Sequence, residues 1–107
     1  MRLHHAAEFR DIKRRGKKFG DAFFSIAVLA NAESHPRLGL SIATRLFGTA
    51  VARNRIKRLT RESFRLNQHE LPAVDVTVSA REAAAKAQLT DLRDSLDKHW
   101  KAIRTRC

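Results

Sequence analysis

The sequence predicts an α+β fold in which helices pack against one mixed β-sheet. Three stretches alternate apolar and polar residues, as strands with one buried face do. Two longer stretches repeat apolar residues every three or four positions, as amphipathic helices do. With a short helix at the start, the order is α-β-β-α-β-α, a two-layer sandwich. The 107 residues, 43% of them hydrophobic, suit a single domain that spans residues 1–107.

The first element is a short helix over residues 7–15, with Phe9 and Ile12 on one side. Gly16 is predicted to end it, because glycine accepts the left-handed backbone common after helices. A strand follows at 23–30, and its side chains alternate between two faces. One face carries Phe24, Ile26 and Val28, and the other carries Phe23, Ser25, Ala27 and Leu29.

Turn residues at 31–36 lead into a second strand at 37–43, in which leucine and isoleucine alternate with small residues. A third strand is predicted at 74–79, after the interruption at Pro72. Residues 80–88 show no clear period.

The clearest helix spans 50–67. Its apolar stripe contains Ala52, Ile56, Leu59, Ser63 and Leu66. Its opposite side carries Arg53, Asn54, Lys57, Arg58, Arg61 and Arg65. Like charges at this spacing destabilise a helix, and Glu62 is the one acidic residue in it. Phosphates would remove that repulsion, so we interpret this side as a surface that follows a nucleic-acid backbone.

The last helix is predicted at 91–104, with Thr90 as its N-cap. Its apolar stripe contains Leu89, Leu92, Leu96, Trp100 and Ile103.

The net charge of +11 is concentrated in two segments. Residues 1–20 carry seven basic and two acidic side chains, and residues 44–65 carry seven basic side chains and one acidic. If folding brings the two together, they form one positive field suited to a polyphosphate. Two alternatives are that the charges serve only solubility, or that they bind a membrane surface. The basic helix lacks the aromatic, leucine-rich opposite face of interfacial helices.

Other features narrow the class of protein. No apolar run approaches the roughly 20 residues that cross a bilayer. The first residues carry positive charge without the apolar segment of a secretory signal. The single cysteine, Cys107, can form neither an internal disulfide nor a multi-cysteine zinc site. We therefore expect a soluble, cytoplasmic protein.

A self-contained nuclease is not predicted. Hydrolysis of a phosphodiester by a protein normally needs clustered carboxylates or a histidine acid/base pair, usually with a divalent metal. The carboxylates Asp21, Glu33, Glu62, Asp75 and Glu82 fall in different predicted elements. His4 and His5 lie near the chain start, and the other histidines are isolated. We therefore expect no catalytic residue and no metal ligand in the protein.

Residues 39–43 and 50–65, Gly-Leu-Ser-Ile-Ala and Ala-Val-Ala-Arg-Asn-Arg-Ile-Lys-Arg-Leu-Thr-Arg-Glu-Ser-Phe-Arg, closely resemble the signature of the bacterial ribonuclease P protein subunit. Glu8-Phe9, Gly16 with its basic flank, and Leu71-Pro72 with Asp75 also match. The resemblance covers nearly the whole chain and thins after Ala80. It implies the α-β-β-α-β-α sandwich with a left-handed β-α-β crossover around the basic helix.

The resemblance also implies a function. The partner would be a large catalytic RNA, and the complex would remove the 5′ leader from precursor tRNA by endonucleolytic cleavage. Mg²⁺ would be held mainly by the RNA. The residues expected against the catalytic RNA are Arg53, Asn54, Arg55, Lys57, Arg58, Arg61 and Arg65.

A cleft between the first helix and the sheet would hold the leader. Its expected residues are Phe9, Lys13, Phe23, Ser25, Ala27 and Arg45. Many relatives have two lysines where this chain has Thr44-Arg45, and several have aromatic side chains at the positions of Lys13 and Ala27. Leader binding here would therefore depend more on charge and less on stacking.

Two other functions remain open from the residues alone. The chain could be a general RNA-binding, chaperone-like or ribosomal protein without a cleavage role. It could also be a DNA-binding regulator, although DNA-reading helices usually belong to compact helical domains. We expect neither DNA nor a membrane as the partner.

Overall fold

The computed structural model describes residues 6–43, 45 and 48–107. His4, His5 and Thr44, which entered the sequence predictions, lie outside these residues. The described helices and strands are α1 (Ala6–Arg15), β1 (Lys17–Gly20), β2 (Phe24–Ala30), β3 (Arg37–Ser41), α2 (Ala50–Asn67), β4 (Val74–Ala80) and α3 (Leu89–Arg106). Short 3₁₀ helices at Gln68–Glu70 and Glu82–Lys86 flank β4. None of the described helices is long and apolar enough to cross a membrane.

The four strands form one mixed sheet in the order β1-β2-β4-β3. β2 pairs antiparallel with β1 and with β4, whereas β3 runs parallel to β4. Parallel neighbours need a long connection, and α2 supplies it. The prediction of an α+β fold with one mixed sheet is confirmed, and the left-handed sense of the connection stays a prediction.

The sheet carries helices on both faces. Ile26 and Val28 of β2 join the larger core, with the buried residues of α2 and α3. The alternate residue Ala27 packs with Ile12 of α1 in a smaller cluster that Phe9 and Leu29 extend. The helix α1 of the first basic segment and the helix α2 of the second therefore lie on opposite faces of the sheet, so folding does not place these two helices side by side.

The sequence prediction missed β1. This strand has four residues, and Phe19 is its one large apolar side chain, so it offers too short a pattern for a period to be visible. Its neighbours also differ slightly from the prediction. β2 begins at Phe24 instead of residue 23, and β3 ends at Ser41 instead of residue 43.

Gly16 does follow α1, but the predicted left-handed backbone is wrong. Among the described residues, Gly48 is the one with a positive φ, 71°. Gly16 continues the helical bonding by donating its N–H to the carbonyl of Ile12 at 2.8 Å. A Cβ at this position would lie 2.5 Å from that carbonyl oxygen and 2.8 Å from the carbonyl oxygen of Val28. Glycine is needed because two backbones meet here.

The start of α3 also differs from the prediction. The helix begins at Leu89, so Thr90 lies inside it, and the N-cap residue is Gln88 without a side-chain capping bond. Leu92, Leu96, Trp100 and Ile103 are buried as the period predicted.

Two polar clusters connect the elements. Asp75 of β4 accepts two hydrogen bonds from Arg37 of β3 and one from Asn31, each between 2.7 and 2.8 Å. Glu8 of α1 lies 3.1 Å from the same guanidinium, so this cluster ties α1 to the sheet. On the other face, Asp21 accepts hydrogen bonds from Ser95 of α3 and from the backbone of the β1–β2 turn.

Candidate nucleic-acid interface

α2 begins with a standard N-cap. Thr49 has an extended backbone, and its hydroxyl accepts a hydrogen bond of 3.1 Å from the N–H of Ala52. No acidic residue stands in the first turn, where one would favour the helix dipole. The helix is held by packing instead.

The packed side of α2 is firmly fixed. Trp100 of α3 donates from Nε1 to the Ser63 hydroxyl at 2.8 Å, and its ring meets Phe64 edge-on with centroids 5.7 Å apart. The hydroxyl of Thr60 donates back to the carbonyl of Ile56 at 2.9 Å. The buried residues of the helix are Ile56, Leu59, Thr60, Ser63 and Phe64. Leu66 was predicted in this stripe, but it is exposed. In the last turns of the helix the buried residues are Ser63 and Phe64 instead.

The opposite side carries the residues predicted to contact RNA. We call them the basic face: Arg53, Asn54, Arg55, Lys57, Arg58, Arg61 and Arg65. Arg53 and Lys57 are half-buried and the other five are exposed. One helix therefore presents all seven side chains, and the packing on its other side fixes their direction.

The basic face is electrostatically strained. Burial, followed by the positive charges of Arg53 and Arg61, lowers the pKa of Lys57 below its ordinary value. In the described part of the chain, neither Arg53 nor Arg58 forms a salt bridge, and the buried Nε of Arg53 has no hydrogen-bond partner. Arg65 differs, because Glu62 pairs with it. A bound polyanion would relieve the repulsion that the chain leaves in place.

A second surface lies on the α1 face of the sheet. The register places Gly20, Ser25, Ser79 and Ser41 in one row across β1, β2, β4 and β3. α1 covers the neighbouring position Ala27, which is 4% exposed. The row itself is polar and has small side chains, and it is exposed except at half-buried Ser79. The row is therefore an uncovered strip of the sheet beside the part that α1 covers, and we call this strip and the adjoining side of α1 the cleft.

The structure places the six predicted cleft residues in different surroundings. Ser25 lies in the cleft floor, and Phe9 and Lys13 lie on α1, which borders it. Ala27 lies beneath α1. Phe23 does not belong here: it precedes β2 and packs against the larger core, so the alternation that placed it beside Ser25 was wrong. Arg45 is exposed.

Sequence reasoning missed Gly20, Ser41 and Ser79 as cleft residues. The alternation of the strands does place Ser41 and Ser79 opposite the buried residues. Only the strand order brings them into line with Ser25, and no local pattern contains that order.

No hydrolytic centre is apparent in the described residues. They hold no group of three or more His, Cys, Asp or Glu side chains that could bind a metal ion. Ser95, Asp21 and His99 lie together, but the serine hydroxyl donates to the carboxylate and not to the imidazole. Burial lowers the pKa of His99, while the nearby Asp21 acts against that change. This arrangement fastens α3 to the β1–β2 turn and supplies no activated nucleophile.

The fold, the basic face and the open cleft define a small α+β protein built to bind a polyanionic chain. A family model described as Ribonuclease P matches residues 1–104. The chain belongs to the ribonuclease P protein family. The Ribonuclease P protein component of Aliivibrio salmonicida (strain LFI1238) is 40% identical over 100 residues, which are 94% of this chain and 86% of that protein.

Solved structures of RNase P proteins have the same fold as this chain. The RNase P protein of Staphylococcus aureus superposes with a TM-score of 0.88 at 31% identity, covering 94% of this chain and 93% of that one. The RNase P protein from Thermotoga maritima gives 0.85 at 29% identity, covering 96% and 97%.

Proposed function

We propose that this chain is the protein subunit of a ribonuclease P ribonucleoprotein in the cytoplasm. It binds the catalytic RNA with the basic face and the 5′ leader of precursor tRNA in the cleft, and so assists endonucleolytic removal of the leader. The observation that carries the proposal is the basic face itself. Its cations crowd one another, and three of its arginines, Arg53, Arg55 and Arg58, form no salt bridge among the described residues.

The basic face acts through charge. Each phosphate that an arginine neutralises releases condensed counterions, so binding is favourable and depends on salt. A neutralised RNA needs less Mg²⁺ to hold its fold. We expect Mg²⁺ to be held mainly by the RNA, where it would activate water and stabilise the leaving oxygen. The protein's own residues position the RNA and take no chemical step.

The cleft acts through differential binding. Precursor tRNA has a leader that can lie on the row of serines, and mature tRNA has none. Contacts made only with the precursor favour substrate capture and product release.

Cleavage of precursor tRNA tests the proposal. We expect no cleavage by the protein alone, slow cleavage by the ribonuclease P RNA of the same organism, and faster cleavage by both at low Mg²⁺. Polylysine at equal charge concentration controls for a non-specific polycation. Cleavage by the protein alone, or equal stimulation by polylysine, would contradict the proposal.

The cleft is tested by Ser25→Glu, which places a negative charge on its floor. We expect the complex to lose about tenfold in affinity for precursor tRNA, because the leader phosphates are repelled, and to keep its affinity for mature tRNA. Ser34→Glu, in the exposed turn before β3, is the matched control. If the affinities for precursor and mature tRNA fall equally, the leader does not bind in the cleft.

A further inference from the structure

An open groove of about 400 Å³ lies between α2 and α3, away from the cleft. The two helices run in the same direction, since Ser63 contacts Trp100 and Glu70 contacts Arg104. Leu59 and buried Ser63 line the groove from α2. Its size is at the lower end of the range for small-molecule sites.

Two leucines line the groove without being covered. Leu66 of α2 is 56% exposed, and Leu89 of α3 is 38% exposed. With Val51 they make up the large hydrophobic side chains that are exposed among the described residues. The sequence predicted both leucines in buried stripes. A concave surface with exposed apolar side chains is where a flat apolar group would be sheltered from water.

The charges around the groove restrict the occupant. Arg55 and Arg58 of the basic face line it from α2, and Arg93 lines it from α3. None of these three forms a salt bridge within the described chain. Two carboxylates also line the groove: Asp97 of α3, and Glu62 of α2, which pairs with Arg65. An aliphatic group would leave the three guanidinium groups unused, and a bare phosphate would be repelled by the Asp97 carboxylate.

A nucleotide satisfies all of these features. Unpaired bases in structured RNA are splayed out and stack on aromatic rings or on guanidinium planes. A carboxylate accepts a hydrogen bond from an exocyclic amino group, as from N4 of cytosine. The phosphates beside such a base carry the charge that arginines bind.

We propose that the α2–α3 groove receives one unpaired base of the RNA that binds the basic face. The base packs between Leu66 and Leu89, its phosphates contact Arg55 and Arg58, and an amino-bearing edge faces Asp97. The groove therefore favours adenine, cytosine or guanine over uracil. This inference rests on the proposed function, since it needs an RNA on the basic face.

The double variant Leu66→Ser/Leu89→Ser tests the groove, with the ribonuclease P RNA of the same organism as the probe. Affinity is measured over a range of salt concentrations. We expect a loss of about tenfold, from the lost burial of the base against two leucines, with the salt dependence unchanged because no cation is removed. Val51→Ser removes a similar exposed side chain of α2 outside the groove and should bind within about twofold of the wild type. Equal melting temperatures establish that the variants fold.

Chemical probing locates the base. Dimethyl sulfate and kethoxal modify the pairing edges of unpaired adenine, cytosine and guanine. We expect one nucleotide that the wild type protects and the double variant leaves reactive. Changing that nucleotide to uridine should weaken binding to the wild type, and Asp97→Asn should reduce this discrimination.

The outcomes separate the two proposals. If the wild type fails to bind the RNA, the proposed function falls. If the wild type binds and the double variant binds equally well, or re-exposes no nucleotide, the groove proposal falls alone. It also falls if the leucine changes convert a wild-type dimer to a monomer in sedimentation, since the occupant would then be a second copy.

Discussion

Replacing Arg53, Arg58 and Arg61 together with alanine is expected to weaken binding of the ribonuclease P RNA on the order of 100-fold at physiological salt. The plot of log affinity against log salt should become shallower by two to three units, roughly one for each lost phosphate contact. Filter binding between about 50 and 300 mM salt measures both quantities.

The control changes the same net charge elsewhere. Lys86, Lys98 and Lys101 are exposed on the second 3₁₀ helix and on α3, outside the basic face. Their triple alanine variant should lose no more than a few-fold in affinity. If both variants lose affinity equally, binding follows net charge and the basic face has no special role. The arginine variant should remain folded, because removing Arg53 and Arg61 relieves the charge repulsion that, after burial, lowers the pKa of Lys57.

The basic face could be predicted because helical periodicity is local. A repeat of three and four residues fixes which side chains share a side, whatever the helix packs against. The structure accordingly exposes Asn54, Arg58 and Arg61 and buries Ile56 and Leu59. The residues wrongly predicted to be buried, Leu66 and Leu89, lie at the ends of α2 and α3. There the neighbouring element decides which side of the helix is covered. Both leucines line the groove.

The cleft could not be predicted in full because it depends on strand order. Ser25 and Ser79 are far apart in sequence and adjacent in the sheet. Phe23 shows that the alternation of side chains fails just outside a strand. Strict alternation holds only inside a strand, and a side chain one residue before it is free to turn toward the larger core. Gly16 shows a third limit, since the residue type was noticed but the close approach of β2 that requires it is a tertiary contact.

The largest effect on stability is expected from Asp75→Ala. The Asp75 side chain is 11% exposed and accepts hydrogen bonds from both Arg37 and Asn31. Removing it leaves the Arg37 guanidinium largely buried against the weaker partners Glu8 and Glu33. Breaking a buried pair from one side costs about 3–5 kcal/mol, and we expect the loss at or below the lower end of that range because Glu8 stays 3.1 Å from the guanidinium. Urea denaturation at pH 7 should show this loss in the free energy of unfolding.

The same carboxylate predicts a dependence on pH. Burial raises the pKa of Asp75, but the bonds from Arg37 and Asn31 outweigh it and hold the pKa below its usual value. As the pH falls, the Asp75 carboxylate therefore binds a proton at a higher pH in the unfolded chain than in the folded protein. The contribution of Asp75 is complete above about pH 5 and is lost as the pH falls through the unfolded value near 4 toward the lower folded value. Asp75→Asn should flatten the acid limb of the stability curve, and the part contributed by Asp21, whose pKa is also lowered, should remain.

Asp11→Ala is the matched control for Asp75→Ala, because Asp11 pairs with Arg14 and Arg15 on the exposed side of α1. Exposed pairs contribute about 0–1 kcal/mol, so this variant should unfold almost as the wild type does. Replacing both partners, as in Arg37→Met/Asp75→Leu, should recover part of the loss, since no guanidinium is then left buried beside a missing carboxylate. The recovery is incomplete because Glu8 loses its partner Arg37. If Asp75→Ala costs no more than Asp11→Ala, the cluster does not hold α1, β3 and β4 together, and the cleft beside α1 must be held by the Ile12–Ala27 packing alone.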